Sequence, residues 1–567
     1  METNLLTIKR TQIRSTKSKR NPNAPNPKNG GMLPARRAVW IALLVLAAVT
    51  LGVYAVSLFN GFVLDDEVII VKNPLTMGLN NLRTVLFSPD LIKPYYRPLN
   101  RATYLLDYWF FGMRPMWFHA ANILIHLLNV ILLYMIGRRI LLNRGAAFVV
   151  ALLFAVHPVN SEAVNFISAR NTLLSLFFSL ASFLAFMQAK EKGVRWPLLS
   201  GLLFFCGLLC KETALMLIAL IALYILLPLP GAVTEKRRMS AFSLFPYLLF
   251  ASVYFVMRIY SLHGMMGISI PDVGLVSRLA RNYHIIPQYV GLLVFPADLT
   301  VCHNIPEGSL FSPPWFLPVW MALLVAIGLA VRWRNKGVLF GLAWCSLNYL
   351  PIANIVPIPS EPITERFLYL PAAGVFLVAG AGFARLYAHA GMKRLLWAAT
   401  AIIIIAFATV TVWRNLDWKD EYSLFASAVR KNTASSEAHY NLGTALRERG
   451  DLLAARQEWD KALKINPGNS DVLIQMGTFE ATQGNLQKAE QYYIAALHSP
   501  PGRADPDKSM AHYNLGKVYE KQQKLELALE HYELFLKLVD IYYAEYEPDA
   551  KQRVARLRAG MLPVLIK

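Results

Sequence analysis

The sequence predicts an all-helical (all-α) fold class: a polytopic helical membrane domain of about eleven spans, followed by a C-terminal tetratricopeptide-repeat (TPR) α-solenoid. Three observations lead to this prediction. First, 55% of the 567 residues are apolar and 16% are charged, whereas about a quarter of the residues of soluble domains are charged. Second, many apolar residues fall into runs long enough to cross a bilayer. Third, residues 436–540 repeat with a period of 34, which is the TPR spacing. An ordinary soluble enzyme and a disordered chain are thereby excluded.

The N-terminal tail, residues 1–37, is predicted to be a disordered, basic, cytoplasmic segment. It holds nine basic residues and one acid and is rich in Asn and Pro, a composition typical of disorder. It is too long and too polar for the n-region of a signal peptide. The apolar run 39–59 that follows has no clear small-residue cleavage site, so we interpret it as a retained first span.

The net positive charge is confined to one side of the predicted membrane. The net charge is +21, and the tail and five short loops carry all of it. This distribution follows the positive-inside rule and argues against a nucleic-acid partner, although the tail could also contact anionic membrane lipid. The basic residues of the five loops are Arg138, Arg139, Arg144, Lys190, Lys192, Arg195, Lys236, Arg237, Arg238, Arg332, Arg334, Lys336, Arg385, Lys393 and Arg394.

An odd number of spans places the N-terminus in the cytoplasm and everything after Trp413 outside. Residues 276–296 carry Arg278, Arg281 and two prolines, so we interpret them as an interfacial or re-entrant helix. The predicted domains are therefore the tail 1–37, a membrane domain 38–413 with an outer loop at 60–115, and an extracytoplasmic TPR domain 414–567. The predicted spans are 38–59, 116–137, 145–161, 171–189, 197–211, 213–231, 241–261, 315–331, 337–356, 367–387 and 395–413.

The repeats are predicted at about 436–469, 470–503 and 509–542. Small residues in such repeats let paired helices approach, and large residues fill the groove between them. Arrays of this kind bind peptides or proteins in a concave groove. From Arg414 onward the chain has 21 basic and 21 acidic residues, so electrostatic binding of nucleic acid is not expected. The first two repeats match at Gly443, Ala455, Trp459, Ala462 and Pro467 against Gly477, Ala489, Tyr493, Ala496 and Pro501.

Four clusters of polar residues fall on the predicted outer side of the membrane. Ionisable groups at the ends of spans are costly unless they serve a site. Each cluster alone could be a local ion pair or a helix end, but four clusters on one face predict a shared outer-leaflet site. They comprise Asp65, Asp66, Glu67, Arg97 and Arg101 in the first loop, His157, Glu162 and Arg170 in the second, Lys211 and Glu212 in the third, and Glu365 and Arg366 in the last.

Carboxylates near arginines at the bilayer surface suit glycosyl transfer from a lipid-linked phosphosugar. One carboxylate would take the proton of an acceptor hydroxyl as it attacks the anomeric carbon. Arginine would hold the leaving phosphate, and the lipid tail would lie between helices. The chain has no Asp-x-Asp nucleotide-sugar signature within a soluble domain. A lipid-linked sugar is thus the expected co-substrate, and no metal or other cofactor is expected, although carboxylates could bind Mg²⁺ or Mn²⁺.

The motifs that carry these residues resemble the transmembrane and tetratricopeptide-repeat O-mannosyltransferases and their prokaryotic relatives, in the GT-C superfamily of glycosyltransferases. HPVxxEAV and ERxLYLP together are specific, whereas the pair DD alone is not. The resemblance implies a GT-C-like membrane fold, a polyprenyl- or dolichyl-phosphate-linked hexose donor, with mannose expected, and a Ser/Thr acceptor on an exported protein. The segments in order are GFVLDDEVIIVKNP, YYRPL, NILIHLLNVILLY, HPVNSEAVNFISARNTLL, CKETAL, NIVPI and ERFLYLP.

By position, the resemblance places the diacidic motif at Asp65 and Asp66. Asp65 is the preferred base, and Glu67 leaves open which carboxylate acts. The candidates for the donor phosphate are Arg97, Arg170, Lys211 and Arg366. The remaining candidates for substrate binding are Arg101, His157, Glu162, Glu212 and Glu365.

Two other functions remain compatible with the sequence. One is a non-catalytic membrane scaffold whose repeats recruit extracytoplasmic partners, although a scaffold has no need of Asp65 and Asp66 near arginines. The other is a lipid-sugar transferase acting on a glycan or a lipid, against which the peptide-binding repeats argue weakly. The array of about three repeats is short beside those of the animal members, which suggests a bacterial inner-membrane protein. In a eukaryote the endoplasmic reticulum membrane is the expected location.

Overall fold

The computed structural model describes residues 35–565 except 91–94, 193–194, 228–240, 263–274, 304–315, 334, 354, 356–362, 502–504, 506–507 and 541. Most of the tail predicted to be disordered, and the basic loop at 236–238, lie outside the described residues. The chain forms two compact units, Met1–Val45 and Leu46–Lys567. Every predicted site residue belongs to the second unit.

The predicted all-helical class is confirmed, since the described residues are 84% helical and contain no strand. The first part of the chain supplies the apolar helices and the short helices of the first loop. They are α1 (Ala35–Tyr54), α2 (Leu82–Phe87), α3 (Pro98–Phe111), α4 (Pro115–Leu141), α5 (Arg144–Val156), α6 (Ser161–Asn165), α7 (Arg170–Lys192), α8 (Arg195–Leu208), α9 (Met216–Leu226), α10 (Phe245–Ser261), α11 (Leu275–Val294), α12 (Phe316–Trp333), α13 (Lys336–Tyr349), α14 (Tyr369–Tyr387) and α15 (Lys393–Asp417).

A helix lies at each of the eleven predicted span positions, but eleven spans are not confirmed. In the described part of the chain, five helices are long and apolar enough to cross a membrane, and a sixth is counted if α5 and residues 158–165, bent by 51°, form one span. Helices α8, α9 and α10 are apolar but shorter. The chain is thus a multi-pass membrane protein. Helix α11 at 275–294 contains Pro287, and its interfacial placement stays a prediction.

Close packing of the apolar helices depends on glycine at one crossing. Helices α13 and α14 meet at Gly341 and Gly374. A Cβ on Gly341 would lie 2.7 Å from the Gly374 carbonyl oxygen, which is closer than atoms can approach. The two backbones therefore touch here, and this contact fixes the position of the Glu365–Leu368 turn that leads into α14.

The repeats form three helix pairs preceded by a single helix and followed by another. In each pair a glycine of the first helix lies against a large ring of the second, as the repeat pattern predicts. These pairings join Gly443 to Trp459, Gly477 to Tyr493, and Gly516 to Tyr532. The helices are α16 (Glu421–Lys431), α17 (Ser436–Glu448), α18 (Leu452–Ile465), α19 (Ser470–Thr482), α20 (Leu486–His498), α21 (Ser509–Lys521), α22 (Leu525–Leu538) and α23 (Glu547–Leu565).

The junction between the membrane helices and the repeats is hydrogen-bonded to the first loop. Helix α15 continues to Asp417, a little past the predicted boundary at 413. Gly61 N donates to Lys419 O at 2.9 Å. Buried Asn60 donates to Asn415 O at 3.1 Å, and Asn165 donates to the Asn415 side chain at 2.7 Å. The first loop, the second loop and the start of the repeat region are thereby joined.

Candidate functional site

The two adjacent carboxylates of the first loop have different surroundings. Asp66 is fully buried, and its Oδ1 accepts from the Ser168 backbone at 2.7 Å and from Ser168 Oγ at 2.6 Å. Its Oδ2 accepts from Val63 N at 3.3 Å. Burial raises the pKa of Asp66 to about 7, against the lowering effect of the bonds from Ser168 and Val63. Asp66 therefore fastens the first loop to the turn Ile167–Ala169.

Asp65 is half-buried and lies on the side of the loop that faces the repeat region. The preceding residue, Leu64, has a φ of +56°, which is rare for a residue with a Cβ. Leu64 N donates to Glu421 Oε1 at 3.1 Å, so the first turn of α16 helps to hold this conformation. The Asp65 charge raises the pKa of the Tyr542 phenol, although burial is the larger cause. Asp65 therefore lies near the end of the third repeat.

Arg97 and Glu212 form an ion pair that a third residue completes. Arg97 Nη2 lies 3.1 Å from Glu212 Oε2, and Arg258 Nη1 lies 2.7 Å from Glu212 Oε1. One carboxylate thus holds two guanidinium groups from different segments, at the start of α3 and the end of α10. The sequence analysis did not single out Arg258. The signal was available, because an arginine in an otherwise apolar helix requires a partner.

Lys211 and Arg366 lie in the same group of charges. Lys211 Nζ donates to Thr172 Oγ1 at 2.7 Å and is within electrostatic reach of Arg97, Arg366, Glu212 and Glu162. Arg366 Nη1 lies 2.5 Å from Glu162 Oε1. We call the six residues Arg97, Glu162, Lys211, Glu212, Arg258 and Arg366 the cationic cluster. Its three arginines outnumber its two carboxylates by one positive charge, and Lys211 adds to this charge when it is protonated.

Two other predicted residues, Arg170 and Arg101, are held in the interior. Buried Arg170 donates to Asn122 at 2.7 Å and pairs with Asp107 at 2.5 Å. Arg101 donates to the carbonyls of Ser88 and Pro89 at 3.0 and 2.8 Å. These contacts anchor α3 and the end of α2, so both guanidinium groups have partners inside the protein.

His157 also has internal partners. Its Nδ1 accepts from Val159 N at 3.3 Å, so its Nε2 carries the proton and donates to Leu293 O at 3.0 Å. The imidazole therefore joins the turn after α5 to helix α11. Its position within the predicted substrate site stays a prediction.

Glu365 belongs to a second charged group, which lies beside the cationic cluster. It is fully buried and lies 3.3 Å from His303 Nε2 and 3.5 Å from Arg414 Nη2. Glu162 is within electrostatic reach of both Glu365 and Arg414. Glu365 therefore points toward Arg414 on α15, whereas the next residue, Arg366, points toward Glu162.

A single segment, residues 160–172, contacts Asp66, Lys211 and Arg366. It supplies Glu162 to Arg366, Ser168 to Asp66 and Thr172 to Lys211. The ring of Phe166 lies 5.3 Å beneath the Arg366 guanidinium. The second loop therefore connects Asp66 of the first loop with the cationic cluster. In the described part of the chain, no three His, Cys, Asp or Glu residues come together as metal ligands would.

Comparison with known proteins shows the same two parts. Residues 111–258 match the family model described as dolichyl-phosphate-mannose-protein mannosyltransferase. Residues 436–469 and 476–540 match models of the tetratricopeptide repeat. These matches, together with the relatives below, confirm the resemblance indicated by the motifs.

Several curated proteins are similar to this chain over most of its length. Protein O-mannosyl-transferase TMTC3 of Mus musculus is 27% identical over 74% of this chain and 50% of its own length. Protein O-mannosyl-transferase TMTC1 of Homo sapiens is 29% identical over 78% of this chain and 56% of its own. The protein O-mannosyl-transferase F38B6.6 of Caenorhabditis elegans is 29% identical over 78% and 65%. The chain thus spans about half to two thirds of the length of these relatives.

One solved structure shows a weaker likeness. The crystal structure of the Archaeoglobus fulgidus oligosaccharyltransferase tethered with an acceptor peptide aligns with a TM-score of 0.37 at 12% identity. The alignment covers 76% of this chain and 59% of that chain. A likeness at this level does not establish a shared fold.

Proposed function

We propose that the protein is an integral-membrane glycosyltransferase that moves a hexose, with mannose expected, from a polyprenyl- or dolichyl-phosphate donor to hydroxyls of extracytoplasmic proteins. The match to a mannosyltransferase family model and the names of the relatives support the transferase class. The observation that carries the proposal is the cationic cluster, in which Arg97, Lys211, Arg258 and Arg366 converge on two carboxylates at the ends of apolar helices.

The charge of the cationic cluster suits a leaving phosphate. The donor is a phosphodiester with one negative charge, and the lipid phosphate that leaves gains a second charge as the sugar–oxygen bond breaks. The excess of positive charge therefore favours the transition state over the bound donor, which is the requirement for faster chemistry. Arg97 and Arg258 are held in place by Glu212 before the donor binds, so little reorganisation is needed.

Asp65 is the proposed base and Asp66 its support. Asp65 would take the proton of the acceptor hydroxyl while that oxygen attacks the anomeric carbon. The bond between this carbon and the phosphate oxygen breaks, and the lipid phosphate leaves with the electron pair. Asp66 suits this role less well because three donors already occupy its oxygens. The proposed chemistry uses side chains without a cofactor.

The repeats are proposed to present the acceptor. We propose that their first helices line the concave surface with which such arrays bind extended peptides, and Asp65 lies near the end of the third repeat. In the proposed topology the tail is cytoplasmic, and residues 414–567 lie outside the bacterial inner membrane or in the lumen of the endoplasmic reticulum. The proposed domains are the tail 1–37, the membrane domain 38–413 and the TPR domain 414–567.

The test is transfer of radiolabelled mannose from synthetic polyprenyl-phosphate mannose to exported protein. Purified wild type is compared with Asp65→Asn and with Glu67→Gln, a matched control at an exposed carboxylate two residues away. We expect label on protein with wild type and Glu67→Gln and none with Asp65→Asn, with or without EDTA.

The alternatives are separated by the same assay. Label on glycan or lipid alone would identify a transferase with another acceptor. No transfer with any donor sugar or acceptor would contradict the enzyme and favour a membrane-anchored scaffold. Equal transfer by wild type and Asp65→Asn would refute the assignment of the base but keep the enzyme.

A further inference from the structure

The segment between α22 and α23 turns back across the repeats. We call residues 542–546 the strap. The ring of Tyr546 lies 5.2 Å from the ring of Tyr513, on the first helix of the third repeat. Tyr543 packs against the core of the later repeats and is within electrostatic reach of Tyr440 and Asp471, on the first helices of the first and second repeats. The strap therefore contacts the first helix of the third repeat and lies near the first helices of the other two.

The same segment reaches the first loop of the membrane domain. Glu545 Oε2 lies 3.9 Å from Lys72 Nζ, and Tyr542 lies within reach of the Asp65 charge. Tyr543 and Tyr546 thus face the repeats, while Tyr542 and Glu545 face the loop. The strap lies between the proposed acceptor-binding face and the proposed base.

The contacts of the strap with the loop are weak enough to be exchanged. The side chains of Lys72 and Glu545 are 55% and 53% exposed, and exposed ion pairs contribute little stability. Two tyrosines hold the other side of the strap. An extended peptide that offers an aromatic side chain could make the same contacts in its place.

We propose that the strap is a built-in occupant of the repeat face, and that an extended acceptor segment with an aromatic residue displaces it to reach Asp65. This inference rests on the proposed function for the identity of the partner. The displacement itself is a property of the repeats and can be measured without any transfer of sugar. The strap would thus restrict access to the base until a polypeptide that fits the repeats has bound.

The first experiment measures hydrogen exchange of the strap amides in the full-length protein in detergent. Glu545→Lys places two cations together and should speed exchange of residues 542–546. The double variant Lys72→Glu with Glu545→Lys should restore the slow rate. The matched control is Glu533→Lys, which breaks the exposed pair with Arg558 on α23 and should leave the strap unchanged. Equal exchange rates of the strap amides in all variants would refute the proposal that the strap is held against the first loop.

The second experiment measures binding of a fluorescent peptide with the sequence of residues 540–547, DIYYAEYE. Tyr543→Ala and Glu545→Lys should each lower the Kd of the peptide by about fivefold or more. The apparent Kd equals the intrinsic Kd divided by the fraction of protein in which the strap has left the site, and both variants should increase that fraction. A scrambled peptide is the control. Identical binding to wild type and both variants, or binding to none, would refute the proposal.

The experiments distinguish failure of the proposed transferase function from failure of the proposed strap. Tighter peptide binding by the strap variants without any sugar transfer would keep the strap and contradict the transferase. Transfer by wild type with no effect of the strap variants on peptide binding would keep the transferase and contradict the strap.

Discussion

Neighbouring residues of one chemical type have different environments in this protein. Asp65 is half-buried, whereas Asp66 is fully buried and bonded by three donors. Arg97 points into the cationic cluster, whereas Arg101, one helical turn later, points to the carbonyls of Ser88 and Pro89. Side-chain direction, which is set by the backbone, therefore separates residues that could contact substrate from residues that stabilise the loop.

Asp66→Asn should loosen the first loop. The amide nitrogen would have to face a backbone or hydroxyl donor, and a buried group left without a partner costs about 1–3 kcal/mol. We expect faster hydrogen exchange in residues 63–72 and reduced transfer. Ser168→Ala, which removes one of the three donors, should have a smaller effect in the same direction. Unchanged exchange in Asp66→Asn would show that the bonds to Ser168 do not hold the loop.

The candidate residues could be predicted from sequence, but their burial could not. Asp65, Arg97, Lys211, Glu212 and Arg366 were found because charged residues at the ends of apolar runs are rare and match family motifs. The same reasoning included Arg170, which the structure pairs with Asp107 inside the protein. Sequence patterns reveal a charge but not its partner, since Asp107 is distant in the chain.

At the scale of single elements, the position of a helix end decides which charges meet. The last turn of α10 brings Arg258 to Glu212, opposite Arg97. The positions of α4, α7, α14 and α15 could be predicted from apolar run length, and the repeat helices from their 34-residue period. The contact between α10 and the third loop could not be predicted, because packing between helices leaves no periodic pattern in the sequence.

Arg258→Gln should reduce transfer while the protein stays folded. Removing one donor that stabilises developing charge typically lowers kcat by about 10²-fold. Glu212 keeps Arg97 as a partner, so we expect little change in the unfolding temperature. Arg83→Gln, at an exposed arginine of the first loop, is the control and should retain full activity. Full activity of Arg258→Gln would remove Arg258 from the proposed phosphate site.

Gly374→Ala should separate α13 from α14. A Cβ at Gly374 would collide with the backbone of Gly341 and lie 2.6 Å from Cys345 N, and overpacking of this kind costs about 1–3 kcal/mol. We expect a lower unfolding temperature in detergent. Gly382 is in the same helix with no atom within 4 Å of its Cβ position, so Gly382→Ala should be neutral. Equal unfolding temperatures of both variants would contradict the tight crossing.

Acid should destabilise the third repeat. His512 Nδ1 lies 2.9 Å from His531 Nδ1. Burial, together with the smaller effects of the His531 and Lys508 charges, lowers the pKa of His512 to about 4. Burial also lowers the pKa of His531, although Glu530 opposes this effect. The neutral forms are thus favoured in the folded protein.

The resulting loss of stability falls in a defined pH window. An unfolded histidine has a pKa near 6.5, so below about pH 6.5 the unfolded state binds protons that the folded repeat does not, and stability falls toward pH 4. Hydrogen exchange of α21 and α22 should be faster at pH 5 than at pH 7.5, after correction for intrinsic rates. His512→Gln should reduce this difference, whereas His498→Gln should not. The same pH response in both variants would exclude the histidine pair as its cause.

At the scale of the whole molecule, the first loop is shared between the membrane helices and the repeats. Asn60, Asn165 and Asn415 bond to one another at its base, and Asn415 also donates to Val53 O at 3.0 Å. Gly61 and Leu64 bond to Lys419 and Glu421. The domain order could be predicted from sequence. These long-range bonds and the strap could not, since they join residues hundreds of positions apart.

Asn415→Ala should weaken this junction. It removes a side chain that accepts from Asn165 and donates to Val53, and each buried group left without a partner costs about 1–3 kcal/mol. We expect a lower unfolding temperature and faster hydrogen exchange in residues 60–66. Asn441→Ala, where the lost amide donates within its own helix, is the control. A wild-type exchange rate in residues 60–66 would show that the junction does not depend on Asn415.

The contacts of the first loop also determine when it can complete its folding during biosynthesis. Its partners at Lys419, Glu421 and Glu545 leave the ribosome long after residue 60. At about 5–20 residues per second, the loop would wait for roughly 25–100 s before the last of these partners is made. During that interval Asp65 and Asp66 have no completed binding site around them. A nascent chain would therefore acquire its proposed catalytic centre only after the segment that follows the third repeat has been made.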